Sequence, residues 1–160
     1  MSFYSDVLQK DPRFHSPNAC YDPALLFPPF RTVVEAIMRD ALVAGHTLHI
    51  GETFRSEARQ QMLFAKGLTQ IRQVGVHNFG LAADLILMVN GRYDPVGTHY
   101  EFLVDLCAKR PCPWGATVSG IDWGQPDKPH SFRDYDHIQG VTLAQQPALF
   151  AGVFYPEIPK

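Results

Sequence analysis

The sequence has little cysteine, little net charge and no long apolar run. Three cysteines in 160 residues (Cys20, Cys107 and Cys112) cannot build a disulfide framework, and their odd number leaves at least one thiol free. Cys107 and Cys112 flank the break at Arg110-Pro111 and can pair in an oxidising space, but buried thiols are the expected state. Nothing approaches the roughly 18 consecutive apolar residues that a membrane-spanning helix needs. Fourteen Lys and Arg against sixteen Asp and Glu leave a net charge of −2. That balance lacks the basic face of a nonspecific nucleic-acid binder, and it gives no general attraction to an anionic membrane or wall polymer. Repeats, low-complexity tracts and obvious linkers are missing as well. Residues 1–160 therefore read as one domain, expected to be a monomer. The N-terminus carries Asp6, Lys10, Asp11 and Arg13 where an export signal needs an apolar stretch, so synthesis in the cytoplasm without an ordinary signal peptide is expected.

What is present is an ordinary folding composition, 46% hydrophobic and 19% charged, which excludes wholesale disorder. Residues 1–29 are rich in turn formers and read as an irregular wrap, 30–139 as the core, and 140–160 as a tail. Val33, Val34, Ile37, Met38, Ala41 and Leu42 recur with helical period, predicting a helix over 30–44 that Gly45 stops. Residues 46–50 alternate like a strand. Ser56 as N-cap opens a second helix that ends at Lys66-Gly67. Residues 81–89 read as a buried strand, and Asn90-Gly91 predicts a hairpin returning through Arg92-Tyr93. Thr98 and Glu101 suggest a capping box for a third helix running to Arg110. Short strands are expected near 116–118 and 135–139, and a last helical turn over 143–150. Strands and helices segregate, so the expected class is α+β: a small antiparallel sheet with flanking helices.

Chemistry concentrates in two clusters. His77-Asn78-Phe79-Gly80-Leu81-Ala82-Ala83-Asp84 can bring an imidazole and a carboxylate to one point if Gly80 turns the chain. Asp134-Tyr135-Asp136-His137 follows 50 residues after Asp84. Together they offer two His, one Asp and a spare carboxylate, a pattern suited to a catalytic zinc with an open coordination position. Most histidines are solvated or satisfied in a core, and His15, His46, His49, His99 and His130 are read that way. Either cluster alone is weak. Both together, with Arg55 and Trp123-Gly124, are harder to assign to chance.

The pattern H-x-x-G-x-A-x-D followed by D-x-x-H resembles the zinc peptidases of the D-alanyl-D-alanine carboxypeptidase and L-alanyl-D-glutamate endopeptidase family, which cut peptidoglycan stem peptides. The resemblance runs over 30–139. It takes in Thr53-Phe54-Arg55-Ser56 before a helix containing Gln60 and Leu63, then Gly120-Ile121-Asp122-Trp123-Gly124 and Phe132. It implies the Hedgehog/D,D-peptidase fold and one Zn2+ per chain, held by His77, Asp84 and His137. It further implies Asp134 as general base and Arg55 as the group steadying the oxyanion. Gly75 stands where many relatives have Ser, and Ile138 and Gln139 where many have Phe and Glu. Neither departure falls on an expected ligand, so they bear on substrate preference.

An amide carbonyl is a poor electrophile and water a poor nucleophile. Zinc polarises the one and lowers the pKa of the other toward ~7, while a nearby carboxylate takes the proton. Asp136, next to His137, is expected to point away as a supporting acceptor. Trp123 and Phe132 are expected to wall the site and bear on substrate. The Asp-x-x-His form and the Trp-Gly before it are more like the phage endolysin branch, which favours the L-Ala–D-Glu bond. A carboxypeptidase releasing a terminal D-amino acid, a catalytically silent zinc-binding interaction module, and a metal-free binding protein are the alternatives. The expected place of action is the cell wall or periplasm, reached through a holin-type pore or a dedicated secretion machine.

Overall fold

The computed structural model describes residues 2–69, 71, 73–123 and 133–158. Among these residues, five α-helices flank an open antiparallel sheet of five strands, so the α+β class holds. The helices are α1 (Phe3–Asp6), α2 (Pro28–Val43), α3 (Glu57–Ala65), α4 (Phe102–Lys109) and α5 (Gln146–Phe150). The strands are β1 (Thr47–Ile50), β2 (Ala82–Val89), β3 (Arg92–Tyr93), β4 (Val118–Ser119) and β5 (His137–Gln139), in the order β1-β2-β5-β4 with β3 on β2. No helix among the described residues is long and apolar enough to cross a membrane.

The helical stripe read from the sequence forms α2, which buries Phe30, Val34, Ile37 and Ala41 against the sheet and α4. Full burial of a side chain such as Phe30 or Ile37 is worth roughly 1.5–3 kcal/mol. The longest strand, β2, alternates: Leu85 and Leu87 face the core, while Asp84, Ile86 and Met88 lie on a less covered face. It is thus half-buried rather than buried throughout, and Val89 at its end is exposed. Asn90 and Gly91 both take positive φ (51° and 72°), the backbone of a type I′ turn, and return the chain into β3. All three cysteines are buried and free.

Two expectations need correction. The first thirty residues are not irregular throughout; they form α1 and three 3₁₀ turns, and Leu8, Leu25, Leu26 and Phe27 are buried. Thr98 and Glu101 make no capping box. Thr98 lies inside a 3₁₀ turn, and the Glu101 N–H donates back to the Thr98 carbonyl (3.4 Å), so α4 begins later without a side-chain cap. At the second helix the cap is as read: Ser56 Oγ accepts from the Arg59 N–H at 3.0 Å.

Two glycines shape the chain around the site. Gly80 has φ 67°, and a Cβ there would lie 2.6 Å from the Leu25 carbonyl oxygen. A Cβ on Gly120 would lie 2.3 Å from the Asp134 carbonyl oxygen. Gly120 also donates its N–H to the His137 carbonyl (2.7 Å) and accepts from the Asp134 N–H (2.9 Å), so one residue seats both ends of the Asp134–His137 cluster.

Candidate metal centre

Three segments deliver the His-Asp-His set. His77 sits in a 3₁₀ turn, Val76–Phe79, that Gly80 closes in a left-handed conformation, as the sequence required. Asp84 lies on β2, and antiparallel pairing with β5 places it directly opposite His137. Ala82 and Ala83 beside it are fully buried, allowing the close approach. His77 Nε2 is 3.3 Å from Asp84 Oδ1, His137 Nδ1 is 3.5 Å from the same oxygen, and the two nitrogens are 3.2 Å apart.

The remaining ring nitrogens are both committed. His77 Nδ1–H donates to the Thr53 carbonyl at 2.6 Å. His137 Nε2–H donates to Gln139 Oε1 at 2.9 Å, and Gln139 is itself fixed because its amide donates to the Val141 carbonyl at 2.6 Å. With those nitrogens occupied, the other nitrogen of each ring faces Asp84 Oδ1. Such a convergence needs a proton or a cation at its centre. Burial opposes the Asp84 charge, but His77 and His137 outweigh it and hold that carboxyl far below its ordinary range. Burial likewise opposes a charged His137, yet the Asp84 hydrogen bond and the Asp134 and Asp84 charges raise its pKa.

The group can hold a metal ion. Ligands at about 2.0–2.1 Å from a tetrahedral ion lie about 3.3–3.4 Å from one another, and the donor spacings here match that face. Hydrogen bonds from both rings to oxygen acceptors supply the outer support that ligating histidines normally have.

Beside this group lies a cavity of about 250 Å³, lined by His77, His137, Arg55, Asp134 and Trp123 among others. Asp134 Oδ2 is 4.0 Å from His137 Nδ1, and its side chain is 41% exposed. Trp123 takes a left-handed backbone (φ 52°), uncommon for so large a residue, and tilts its ring toward that of His137 at 5.3 Å. Asp136 lines a different hollow, with Tyr93, Tyr100 and Tyr135. Burial and the negative charges of Asp84 and Asp134 push its carboxyl up to about 7. Gly124, His130 and Phe132 lie outside the described residues.

Arg55 is no surface arginine. Its side chain is 14% exposed, and Nε and Nη2 each donate to the Glu52 carboxylate at 3.1 Å. Nη1 donates to Gln60 Oε1 at 3.1 Å, and Gln60 is wholly buried, with its amide on the Ile71 carbonyl at 2.7 Å. Arg59 Nε reaches the same Glu52 at 3.2 Å. Sequence reasoning missed Glu52, although an acid three residues before Arg55 and seven before Arg59 was a usable signal. Gln139, read from the sequence only as bearing on substrate preference, accepts from His137 Nε2–H and so orients an expected ligand. At Gly75 a Cβ would meet Ile71 Cδ1 and Gln60 Oε1 at 3.5 and 3.9 Å, so a Ser fits there without displacing anything.

The other histidines behave as expected where they are described. His46 stacks on Phe102 at 3.8 Å, His99 pairs with Asp94 at 2.7 Å, His15 packs edge-on to Phe14, and His49 is exposed.

No family model matches the chain, and no curated protein matches it. Solved structures do. The Serratia marcescens L-Ala D-Glu endopeptidase ChiX superposes with a TM-score of 0.62 at 22% identity, covering 79% of this chain and 87% of that one. The LdcB LD-carboxypeptidase gives a TM-score of 0.52 at 20% identity, covering 79% and 71%. DacB from Streptococcus pneumoniae D39 gives 0.52 at 18% identity, covering 79% and 72%. The chain thus has the fold of the D-alanyl-D-alanine carboxypeptidase and L-alanyl-D-glutamate endopeptidase group, and its His-Asp-His set lies at the edge of an open cavity in that fold.

Proposed function

We propose that the chain is a zinc-dependent peptidoglycan peptidase that hydrolyses a stem-peptide amide, the L-Ala–D-Glu bond. The observation that carries this reading is the convergence of His77, Asp84 and His137 at 3.2–3.5 Å beside a cavity that also holds Arg55 and Asp134. A zinc ion bound there supplies Lewis acidity, polarising a carbonyl and making water a stronger acid. Asp134 takes the proton of the attacking water and passes it to the leaving amine. Arg55 donates to the carbonyl oxygen as negative charge builds on it. Trp123 walls the substrate and keeps bulk water from the reacting atoms. Asp136 supports from the opposite side.

An enzyme of this kind acts at the wall, released through a holin-type pore or exported by a dedicated machine. Likeness to ChiX supports an endopeptidase, and likeness to LdcB and DacB favours a carboxypeptidase as the second reading. Purified peptidoglycan digested with and without a chelator, with products identified by mass, separates them. New amino groups on Glu and L-Ala left on the lactyl side are expected; free D-amino acid alone would reject the bond assignment. Metal analysis should find about one zinc per chain, lost in His77→Ala and His137→Ala. Full zinc in both variants would sink the ligand set.

A further inference from the structure

We propose that Glu52 is a positioning residue for the reaction: its carboxylate fixes the Arg55 guanidinium so that its uncommitted N–H groups meet the substrate oxygen in the cavity. The proposal rests on the peptidase reading above and deepens it. Arginine has five N–H donors in a rigid plane. Three of those of Arg55 are spent on Glu52 and Gln60, at 3.1 Å each, leaving two for a ligand. A guanidinium gripped along one edge and at one tip cannot turn about its stem. Donors fixed before the reaction stabilise a developing oxyanion more than mobile ones, because no reorganisation is needed as charge appears.

Glu52 is itself over-determined. Its side chain is 10% exposed, and Arg59 holds it from the other side at 3.2 Å. Burial opposes its charge, but Arg55 and Arg59 outweigh that cost and keep its pKa low. Arg59 does not line the cavity, and its Nε is directed to Glu52. The backbone adds a second tie. The Glu52 carbonyl accepts the Asp84 N–H at 3.0 Å, the next carbonyl, of Thr53, accepts His77 Nδ1–H, and the Arg55 N–H donates to the His77 carbonyl at 3.2 Å. Residues 52–55 therefore set the distance between the guanidinium and two of the three expected metal ligands. Glu52 joins the two halves of the centre.

Glu52→Gln keeps the shape and the backbone ties but removes the charge and one of the two acceptors. With zinc loaded, its kcat on a stem-peptide substrate should fall on the order of 10–100-fold, less than the loss of a whole oxyanion donor, with KM changed only a few-fold and zinc content unaltered. Glu52→Asp keeps the charge at a shorter reach and should recover part of the loss, which a merely structural role would not predict. A second readout needs no activity: in ¹⁵N-labelled protein the Arg55 Nε–H signal should be sharp and slow to exchange with water, and should broaden or vanish in Glu52→Gln. A Glu52→Gln variant with wild-type kcat, a fall that follows zinc loss, or an unchanged Arg55 signal would overturn the proposal. Should Glu52→Gln fail to fold, the wild-type Arg55 Nε–H signal decides: a broad signal, or one in rapid exchange with water, would overturn the proposal. Should wild-type protein with zinc cut no stem peptide, the peptidase reading falls, and the Arg55 signal still decides whether Glu52 positions the guanidinium.

Discussion

Asp134 Oδ2 stands 4.0 Å from His137 Nδ1 yet is more exposed than any of the three expected ligands, a place from which it can reach water without holding the ion. Asp134→Asn should therefore fold and keep its zinc while hydrolysing wall fragments slower by on the order of 10²–10⁴. Asp136→Asn should be milder; a dead Asp136 variant beside an active Asp134 variant would reverse the assignment. Gln139 makes a different claim. Replacing it by Leu leaves His137 Nε2–H without its acceptor, and competition with a coloured chelator should show zinc bound about 10–100-fold more weakly. His77, Asp84 and His137 were legible in the sequence because each carries its own chemistry at a recognisable spacing. Glu52 and Gln139 were not, because their importance lies in what they touch. Glu52 acts from a segment that is neither helix nor strand, and Gln139 acts through His137 and Val141, each two residues away, in a strand the sequence placed only approximately.

At the scale of elements, local signals were read correctly where local energetics decide. The apolar stripe of α2, the Ser56 cap of α3 and the Asn90-Gly91 turn each satisfy their own backbone or bury their own face. Thr98 and Glu101 failed as a cap because a 3₁₀ turn used the same backbone groups first. The two-residue β4 and three-residue β5 are strands only through their partners, so the sequence could place them only approximately. The 3₁₀ turn carrying His77 depends on Gly80 in the same local way. Gly80→Ala meets a left-handed backbone that costs about 1–2 kcal/mol for a residue with a Cβ, plus the Leu25 carbonyl. A loss of roughly 5 °C or more in Tm is expected by calorimetry, with weakened zinc binding beside it.

For the whole molecule, acid is the informative stress. Glu52 has its pKa lowered from an ordinary 4.5, chiefly by Arg55 against the opposing effect of burial. Its contribution to stability is thus complete above that ordinary value and is lost as pH falls through the lower folded one. Thermal melts of chelator-treated protein should show wild type more stable than Glu52→Gln at pH 6, with the gap closing as pH drops below about 4. A gap that widened in acid would contradict the ion pair. The register of β2 with β5 carries a further consequence, for the chain as it is made. Asp84 pairs with a strand that begins 53 residues later. A ribosome translating this message therefore holds, for a time, a polypeptide in which His77 and Asp84 have been made and His137 has not. On the proposed reading, a nascent chain released before residue 137 is added lacks one of the three expected ligands and should neither hold zinc nor cut the wall.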